Sequence, residues 1–245
     1  MNNKEFINLY NELDAYIAEK YDRFDEDSSI YFLINKFRKS NIEIEKEYSE
    51  KLDSIRKIRN IYVHESGIIE DLFDVSNDVI NTLKEVIDYI KHPLLAKDVM
   101  TPFKEVKVAS LNSKVQNLIE IIYKEGFSNI PIVNDFNIVI GIFNSDVLVN
   151  LSFHKIEVDK NTIIQDIEKY ITFDAHFNNR FIFVNERSEI DSLNEYFSKS
   201  KEQYKKRLPL IFVTHNGKSN GVLKGIIAPI DLLKLPNLNE EKPTN

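Results

Sequence analysis

Cysteine is absent from this 245-residue sequence, and glycine and proline are scarce, with six and seven residues. The lack of cysteine excludes disulfides, thiolate zinc sites, iron–sulfur clusters and cysteine nucleophiles. So few glycines and prolines leave little room for low-complexity segments. No apolar run approaches the roughly 20 residues that a membrane-spanning helix needs. We therefore expect a globular, cytoplasmic protein with no secretory signal and no membrane partner.

Negative charge is concentrated in the first part of the chain. The sequence has 32 Lys and Arg residues against 39 Asp and Glu, a net charge of −7. Residues 1–92 hold 13 of the basic and 20 of the acidic residues, and residues 93–245 hold 19 of each. An acidic domain argues against sequence-independent binding of a nucleic-acid backbone, which depends on Lys and Arg. A small basic site is still compatible with this balance.

Residues 1–92 have apolar side chains at helical spacing throughout, which predicts an all-α four-helix bundle. We expect Ser28 or Ser29 to cap the second helix and Ser76 to cap the fourth, which must end before Pro93. The apolar positions that define the four helices are Phe6, Leu9, Tyr10, Leu13 and Ile17; Ile30, Leu33, Ile34 and Phe37; Tyr48, Leu52, Ile55 and Tyr62; and Val79, Leu83, Val86, Ile87 and Ile90.

Residues 93–245 contain an internal repeat in which the order strand, helix, strand, strand, helix occurs twice. The first copy, at about residues 96–151, predicts strands at 106–109, 130–133 and 138–143. Its first helix runs from Val115 to a stop at Gly126, and its second helix begins near Ser145. Together with the bundle, this pattern predicts an α+β protein.

The second copy, at about residues 162–236, predicts strands at 181–184, 208–213 and 222–227. Its first helix includes Ile190, Leu193 and Phe197, and its last helix has Pro229 in the first turn. The interval from the proline to the glycine is 10 positions in the first copy and 16 in the second, so the second hairpin is longer. We expect the tail that follows to be disordered.

Several segments of the repeat resemble a tandem pair of CBS domains. They are AKDVMTP at 96–102, GFSNIPIV at 126–133 and GIF at 141–143 in the first copy, and LPLI at 208–211 and GIIAPIDLL at 225–233 in the second. The resemblance implies a regulatory module that binds AMP, ADP, ATP, S-adenosyl methionine or a related ligand in clefts between the two motifs. Such modules are rarely catalytic.

Asp231, Ala228 and Asp146 are the candidate ligand-binding residues. A carboxylate at the start of a helix after a strand can accept hydrogen bonds from two ribose hydroxyls, and nearby N–H groups attract phosphate. Asp231 has this position. The family pattern places a hydroxyl residue at the position of Ala228, so one hydrogen bond is lost, and Asp146 is one residue too close to its glycine. The alternative is that both aspartates only cap helices.

A second motif lies in the bundle, where RKIRNIYVHE at 56–65 resembles the signature of HEPN domains. These are small helical bundles, and the resemblance implies a metal-independent ribonuclease that acts as a dimer. On that basis His64 would be the general acid or base, Arg59 would stabilise the phosphate and Asn60 would orient the reactants. The remaining histidines lack ligand spacing, so we expect no metal site.

The helical geometry explains why such a site would need two chains. At about 100° per residue, Arg56, Asn60 and His64 form one stripe, while Arg59 lies roughly 140° around the helix from His64. Two copies of the helix facing each other would bring both groups to one groove. RNA supplies its own nucleophile, the 2′-hydroxyl, so an imidazole and a guanidinium suffice to form a 2′,3′-cyclic phosphate.

Three functions stay open on the sequence alone. The first is a dimeric RNA endonuclease gated by an adenine nucleotide. The second is a non-enzymatic nucleotide sensor, whose helical domain only dimerises or recruits a partner. The third is a structural dimer with an empty cleft. His64 could also serve only as a positive group at a helix end near Gly67, and Arg59 could form a surface salt bridge with Glu65.

Overall fold

The computed structural model describes residues 2–23, 29–40, 42–64, 74–176 and 178–233. They form two compact units, of which the first ends at Pro93 and the second begins at Leu94. The tail that we expected to be disordered lies outside the described residues. Ser28, Glu65 and Gly67 lie outside them as well.

Four helices make up the first unit within its described residues, as the apolar spacing predicted. They are α1 (Asn2–Tyr21), α2 (Ser29–Arg38), α3 (Glu43–His64) and α4 (Asn77–Lys91). Their buried faces share one apolar core, because each helix carries large side chains every three or four positions. Fully buried members of this core include Phe6, Leu13, Ile17, Leu33, Phe37, Leu52 and Leu83.

The predicted helix caps are tested at Ser29 and Ser76, whereas Ser28 lies outside the described residues. Ser76 occupies the N-cap position of α4, but its side chain makes no capping hydrogen bond. Ser29 is already helical, and the N–H of Ile30 donates instead to Oδ1 of Asp14 at 3.1 Å. The carboxylate of Asp14 on α1 therefore accepts a hydrogen bond from one of the free N–H groups in the first turn of α2. The same bond links the two helices. The end of α4 before Pro93 is confirmed.

The second unit contains both copies of the repeat. The first copy comprises α5 (Ala96–Val99), β1 (Thr101–Pro102), α6 (Val115–Glu120), β2 (Asn129–Val133), β3 (Val139–Asn144) and α7 (Ser145–Phe153). The second comprises α8 (Glu168–Ile171), β4 (Ile182–Val184), α9 (Ile190–Tyr204), β5 (Ile211–Thr214), β6 (Leu223–Ile227) and α10 (Pro229–Leu233). A π-helical turn at Ile121–Glu125 extends α6 to Gly126, whose φ of 78° ends it as predicted.

The strands form two sheets, and one of them contains strands from both copies. The larger sheet has the order β1-β6-β5-β4, and the smaller pairs β2 with β3. β4 runs parallel to β5, whereas the other pairs are antiparallel. β1 belongs to the first copy by sequence, yet it pairs with β6 of the second, with Thr101 opposite Ile226.

The strand predicted at 106–109 is wrong. Only Ala109 of this segment pairs, as an isolated parallel bridge to Ile132. Its N–H donates to the carbonyl oxygen of Pro131, and its own carbonyl oxygen accepts from the N–H of Val133. Lys107 is exposed and Val108 is 36% exposed, so the segment has too little apolar surface to bury against the sheet.

Two glycines allow the backbone of each copy to pack closely against a strand of the other copy. Gly225 lies under the backbone of β1, so that a Cβ atom there would collide with the carbonyl oxygen of Thr101. Gly141 lies under Ile171 in the same manner, and its Cβ would be 2.5 Å from the carbonyl oxygen of that residue. Each copy therefore places backbone onto the central hairpin of the other, at a position that only glycine fits.

The first residues of each copy also form hydrogen bonds with the other copy. The N–H of Ala96 donates to the carbonyl oxygen of Ser188 at 2.8 Å, just before α9. The N–H of Ile164 donates to the carbonyl oxygen of Ser113 at 2.9 Å, just before α6. In each copy an aspartate closes the turn, since Asp98 accepts from the N–H of Leu95 and Asp166 from that of Ile163. The sequence repeat is thus a structural one.

Candidate functional site

Asp231 lies in the first turn of α10, directly after β6. Its Oδ2 accepts a hydrogen bond from the N–H of Ala228 at 2.8 Å, and its own N–H donates to the carbonyl oxygen of Ala228 at 3.0 Å. The carboxylate therefore caps the start of the helix, as the capping alternative states. No hydrogen bond to Oδ1 is found among the side chains that the structure describes in this unit, and Asp231 is partly exposed. A carboxylate oxygen that accepts no bond from the protein keeps the capacity to accept one from a ligand hydroxyl.

Both copies contribute backbone near Asp231. β1 borders β6 as far as Ile226, two residues before Ala228. Phe103, which follows β1, and Ile226 both pack against the buried apolar cluster that contains Phe212. The strand that leads to Asp231 is therefore paired with backbone of the first copy.

Asp146 has a different environment. The structure shows that Asn144 caps α7, because its Oδ1 accepts from the N–H groups of Asp146 at 3.1 Å and Val147 at 3.3 Å. The interpretation of Asp146 as the helix cap is therefore wrong. Oδ2 of Asp146 instead accepts a hydrogen bond from Nδ2 of Asn179 at 2.7 Å. Asn179 is only 8% exposed and belongs to the second copy. The carboxylate of Asp146 is therefore already hydrogen-bonded to an amide of the protein itself.

His176 lies beside Asp146 in the interior, with 1% of its surface exposed. Its Nε2 is 3.2 Å from the carbonyl oxygen of Ile142, to which a neutral ring donates as the Nε2–H tautomer. Nδ1 is buried without a hydrogen-bond partner in the described part of the chain. Burial lowers the pKa of His176, and the bond to Ile142 and the charge of Asp146 oppose this only in part.

The stability of the second unit should fall in mild acid because of His176. Its pKa is depressed in the folded state, so as the pH falls the unfolded chain takes up a proton first. The contribution is complete above the ordinary pKa of 6.5 and is lost below it, by up to about 1.4 kcal/mol per pH unit. Urea unfolding at pH 7.5 and 5.5 measures this loss.

The variant His176→Gln keeps a donor for Ile142 and should reduce the difference between the two pH values. His154→Gln is the matched control, since this exposed ring lies on the same unit, with Nδ1 2.8 Å from the carbonyl oxygen of Asn150. An equal pH dependence in the wild type and His176→Gln would contradict the prediction.

Arg59, Asn60 and His64 lie on the second half of α3. The guanidinium carbon of Arg59 is 5.4 Å from the ring centroid of Tyr10 on α1, and Tyr10 is 5% exposed. Nε of Arg59 is buried and has no hydrogen-bond partner within the described bundle. Asn60 is half-buried, and His64 is the last residue of α3, with a side chain outside the described part. Within one chain, Arg59 is thus directed at its own bundle.

Two further cations of the 56–65 segment have local partners. Arg56 and Lys57 both pair with Asp53 on the same helix. The salt bridge considered between Arg59 and Glu65 lies outside the described residues. Asn179 and His176 were missed as site residues, because neither belongs to an apolar period or a recognisable motif.

Comparison with protein families identifies residues 96–152 as a CBS domain. Solved structures to which this chain is similar include three of low identity. A hemolysin-like protein containing a CBS domain from Oenococcus oeni PSU is 18% identical, with a TM-score of 0.40 over 60% of this chain and 93% of the other. CBSX2 in complex with AMP is 15% identical, with a TM-score of 0.42 over 57% and 92%.

A conserved domain of unknown function from Neisseria meningitidis MC58 covers more of this chain, 75%, and 99% of its own. It is 17% identical, with a TM-score of 0.41. No curated protein matches this chain. In the described ranges, no helix is long and apolar enough to cross a bilayer. The same residues contain no group of three or more side chains that could hold a metal ion.

Proposed function

We propose that the second unit is a regulatory module that binds AMP, ADP, ATP or a related adenine-containing ligand at Asp231. The observation that carries the proposal is the partly exposed carboxylate of Asp231 at the start of α10, in a unit whose residues 96–152 match the CBS domain family. A carboxylate with one open oxygen can accept hydrogen bonds from ribose hydroxyls. Ala228 offers the phosphate no side-chain hydroxyl, so the affinity rests largely on the carboxylate.

We expect one ligand to bind to each chain, at Asp231 and not at Asp146. The corner at Asp146 corresponds to the corner at Asp231 in the other copy, but its carboxylate is already bonded to Asn179. A ligand there would have to displace a nearly buried amide and leave it without a partner, which costs about 1–3 kcal/mol. Asp146 therefore serves to hold the two copies together.

Substitution of Asp231 by Asn should weaken nucleotide binding by about 10- to 100-fold, since a hydrogen bond to a charged group contributes about 1.5–3 kcal/mol. Asn keeps an oxygen for the N–H of Ala228, so the cap of α10 is preserved. Calorimetric titration with AMP, ATP and S-adenosyl methionine measures both affinity and stoichiometry.

Asp135→Asn is the control, because this exposed carboxylate lies in the hairpin between β2 and β3. It should bind each ligand as the wild type does. Failure of all three ligands to bind the wild type, or equal affinity of Asp231→Asn and the wild type, would contradict the proposal. Two ligands per chain would contradict the role given to Asp146.

We propose further that the first unit acts as a metal-independent RNA endonuclease in a homodimer, and that the ligand at Asp231 regulates it. The resemblance of residues 56–65 to the HEPN signature supports this proposal. In it, His64 transfers the proton, Arg59 stabilises the charged phosphate and Asn60 orients the reactants. Arg59 would exchange its contact with Tyr10 for the phosphate when two bundles meet.

The competing proposal is a sensor without enzymatic activity, in which the first unit only dimerises or recruits a partner. Nucleotide binding without RNA cleavage in the presence of EDTA would favour the sensor. Cleavage that responds to AMP or ATP would favour the regulated nuclease. Absence of both activities would favour a structural dimer with an empty cleft.

A further inference from the structure

A group of positive side chains surrounds a single carboxylate on the first unit. Nη2 of Arg38 is 3.5 Å from Oδ2 of Asp53, Nη2 of Arg56 is 3.2 Å from Oδ1, and Nζ of Lys57 is 3.0 Å from Oδ2. We call these four residues the Asp53 cluster. The side chain of Asp53 is 19% exposed, against 47%, 28% and 65% for Arg38, Arg56 and Lys57. The carboxylate is therefore less exposed to solvent than any of the three cations that surround it.

The Asp53 cluster has an excess of positive charge. Lys57 and Arg56 hold the pKa of Asp53 below its ordinary value, so its single negative charge persists in mild acid. Three cations against one carboxylate leave a surplus of two positive charges. Within the described residues, no other carboxylate forms an ion pair with any of the three. This surplus stands out in a region, residues 1–92, whose net charge is −7.

An aromatic side chain adjoins these cations. Tyr31 on α2 is 50% exposed, and the guanidinium carbon of Arg56 is 5.5 Å from its ring centroid. Cations that follow a phosphate backbone, beside aromatic rings on which bases stack, are the usual means of binding single-stranded nucleic acid. An acidic peptide would use the cations but has no base to stack on the ring.

The position of the Asp53 cluster on α3 also connects it with the proposed RNA function. Arg56, Asn60 and His64 follow each other at intervals of four residues, so they occupy one stripe of the helix. With a rise of 1.5 Å per residue, Arg56 and His64 are about 12 Å apart along the axis. A strand held at Arg56 would extend along this stripe toward His64.

We propose that the Asp53 cluster binds the phosphate backbone of single-stranded RNA, with Tyr31 stacking against an unpaired base. Arg38 and Arg56 contact phosphate oxygens with two parallel N–H groups, and Lys57 adds a point charge. The site rests on the proposed RNA function, but its binding does not require cleavage. The two proposals can therefore fail separately.

Fluorescence anisotropy with a labelled 12-residue oligouridylate tests the site. Its riboses carry 2′-O-methyl groups, which prevent cleavage by the 2′-hydroxyl. The double variant Arg38→Gln and Lys57→Gln should bind about tenfold more weakly at low salt. Its slope of log K against log salt should be smaller by about 1.4, because each lost cation contributes about 0.7 for a single strand.

The matched control is the double variant Lys51→Gln and Lys84→Gln, which removes the same charge from the same unit. Lys51 and Lys84 are each paired one-to-one, with Glu47 and Glu5, so neither contributes a surplus charge. The control should retain affinity within about twofold. Tyr31→Leu should weaken binding at least about fivefold without changing the salt slope, since stacking contributes about 1–3 kcal/mol per base.

Three results would overturn the proposal: no binding to the wild type at 50 mM salt, equal losses in the test and control variants, or equally tight binding of an oligoglutamate peptide. Should the double variant fail to fold, Lys57→Gln alone serves as the test, because Lys57 is the most exposed of the three cations. RNA cleavage with unchanged affinity in these variants would overturn only this site. Intact binding without cleavage would overturn only the nuclease.

Discussion

Replacement of Gly141 by valine is expected to destabilise the second unit by at least about 3 kcal/mol, a large fraction of the about 5–15 kcal/mol that stabilises a typical domain. A Cβ atom at this position would lie 2.5 Å from the carbonyl oxygen of Ile171 and 3.0 Å from its carbonyl carbon. Both are backbone atoms, so no rotation of a side chain relieves the collision. The melting temperature should fall by about 10 °C, at about 3 °C per kcal/mol.

Gly225→Val should have a similar effect, because the backbone of Thr101 passes over that position as Ile171 passes over Gly141. Gly126→Ala is the control for the loss of glycine itself. It has a positive φ of 78° but no atom within 4 Å of its Cβ position, so it should lose only about 1 kcal/mol. Hydrogen exchange should show both sheets opening in Gly141→Val. Equal stability of the Gly126 and Gly141 variants would contradict the close packing of the Ile171 backbone against Gly141.

The helices and the central hairpins were predictable because their apolar residues repeat over several turns or alternations. Phe6, Leu13 and Ile17 define α1 in the sequence, and all three are fully buried in the structure. Gly126 and Pro229 mark the boundaries that we expected, since each restricts the backbone wherever it occurs. Local signals of this kind do not depend on what the element packs against.

Contacts between the two copies were not predictable in this way. β1 has only two residues, so it shows no period, and it is a strand only because β6 lies beside it. The segment at 106–109 has alternating valines, yet it lacks a partner along most of its length. Asn179 reaches Asp146 across 33 positions of the chain, which no spacing rule reveals.

In the candidate site too, positions set by local sequence signals were predictable and positions set by contacts between the copies were not. The position of Asp231 at the start of α10 followed from Pro229 and the preceding strand, and the structure confirms that position. The different environment of Asp146 did not follow from the sequence, because it depends on an amide supplied by the other copy. The packing of Arg59 against Tyr10 likewise involves two helices, although its direction away from the Asn60 stripe was implied by helical geometry.

Substitution of His64 by alanine should reduce RNA cleavage in EDTA by about 10²- to 10⁴-fold, the usual contribution of a general acid or base. His92→Ala is the control, since His92 is an exposed histidine of the same unit, with Nδ1 2.8 Å from Asp88. Its activity should stay within about twofold of the wild type. Equal cleavage by His64→Ala and the wild type, measured by release of 2′,3′-cyclic phosphate ends, would remove His64 from the mechanism.

The proposed dimer leads to a second, independent prediction. Because Arg59 lies roughly 140° around α3 from His64, each proposed site takes the guanidinium of one chain and the imidazole of the other. Arg59→Ala and His64→Ala should each be inactive alone, and refolding them as a mixture should restore one complete site in every mixed dimer. Since half of the dimers are mixed and each has one of two sites, about a quarter of the wild-type activity should return. No recovery in a mixture shown to contain mixed dimers would mean that each chain acts alone or not at all.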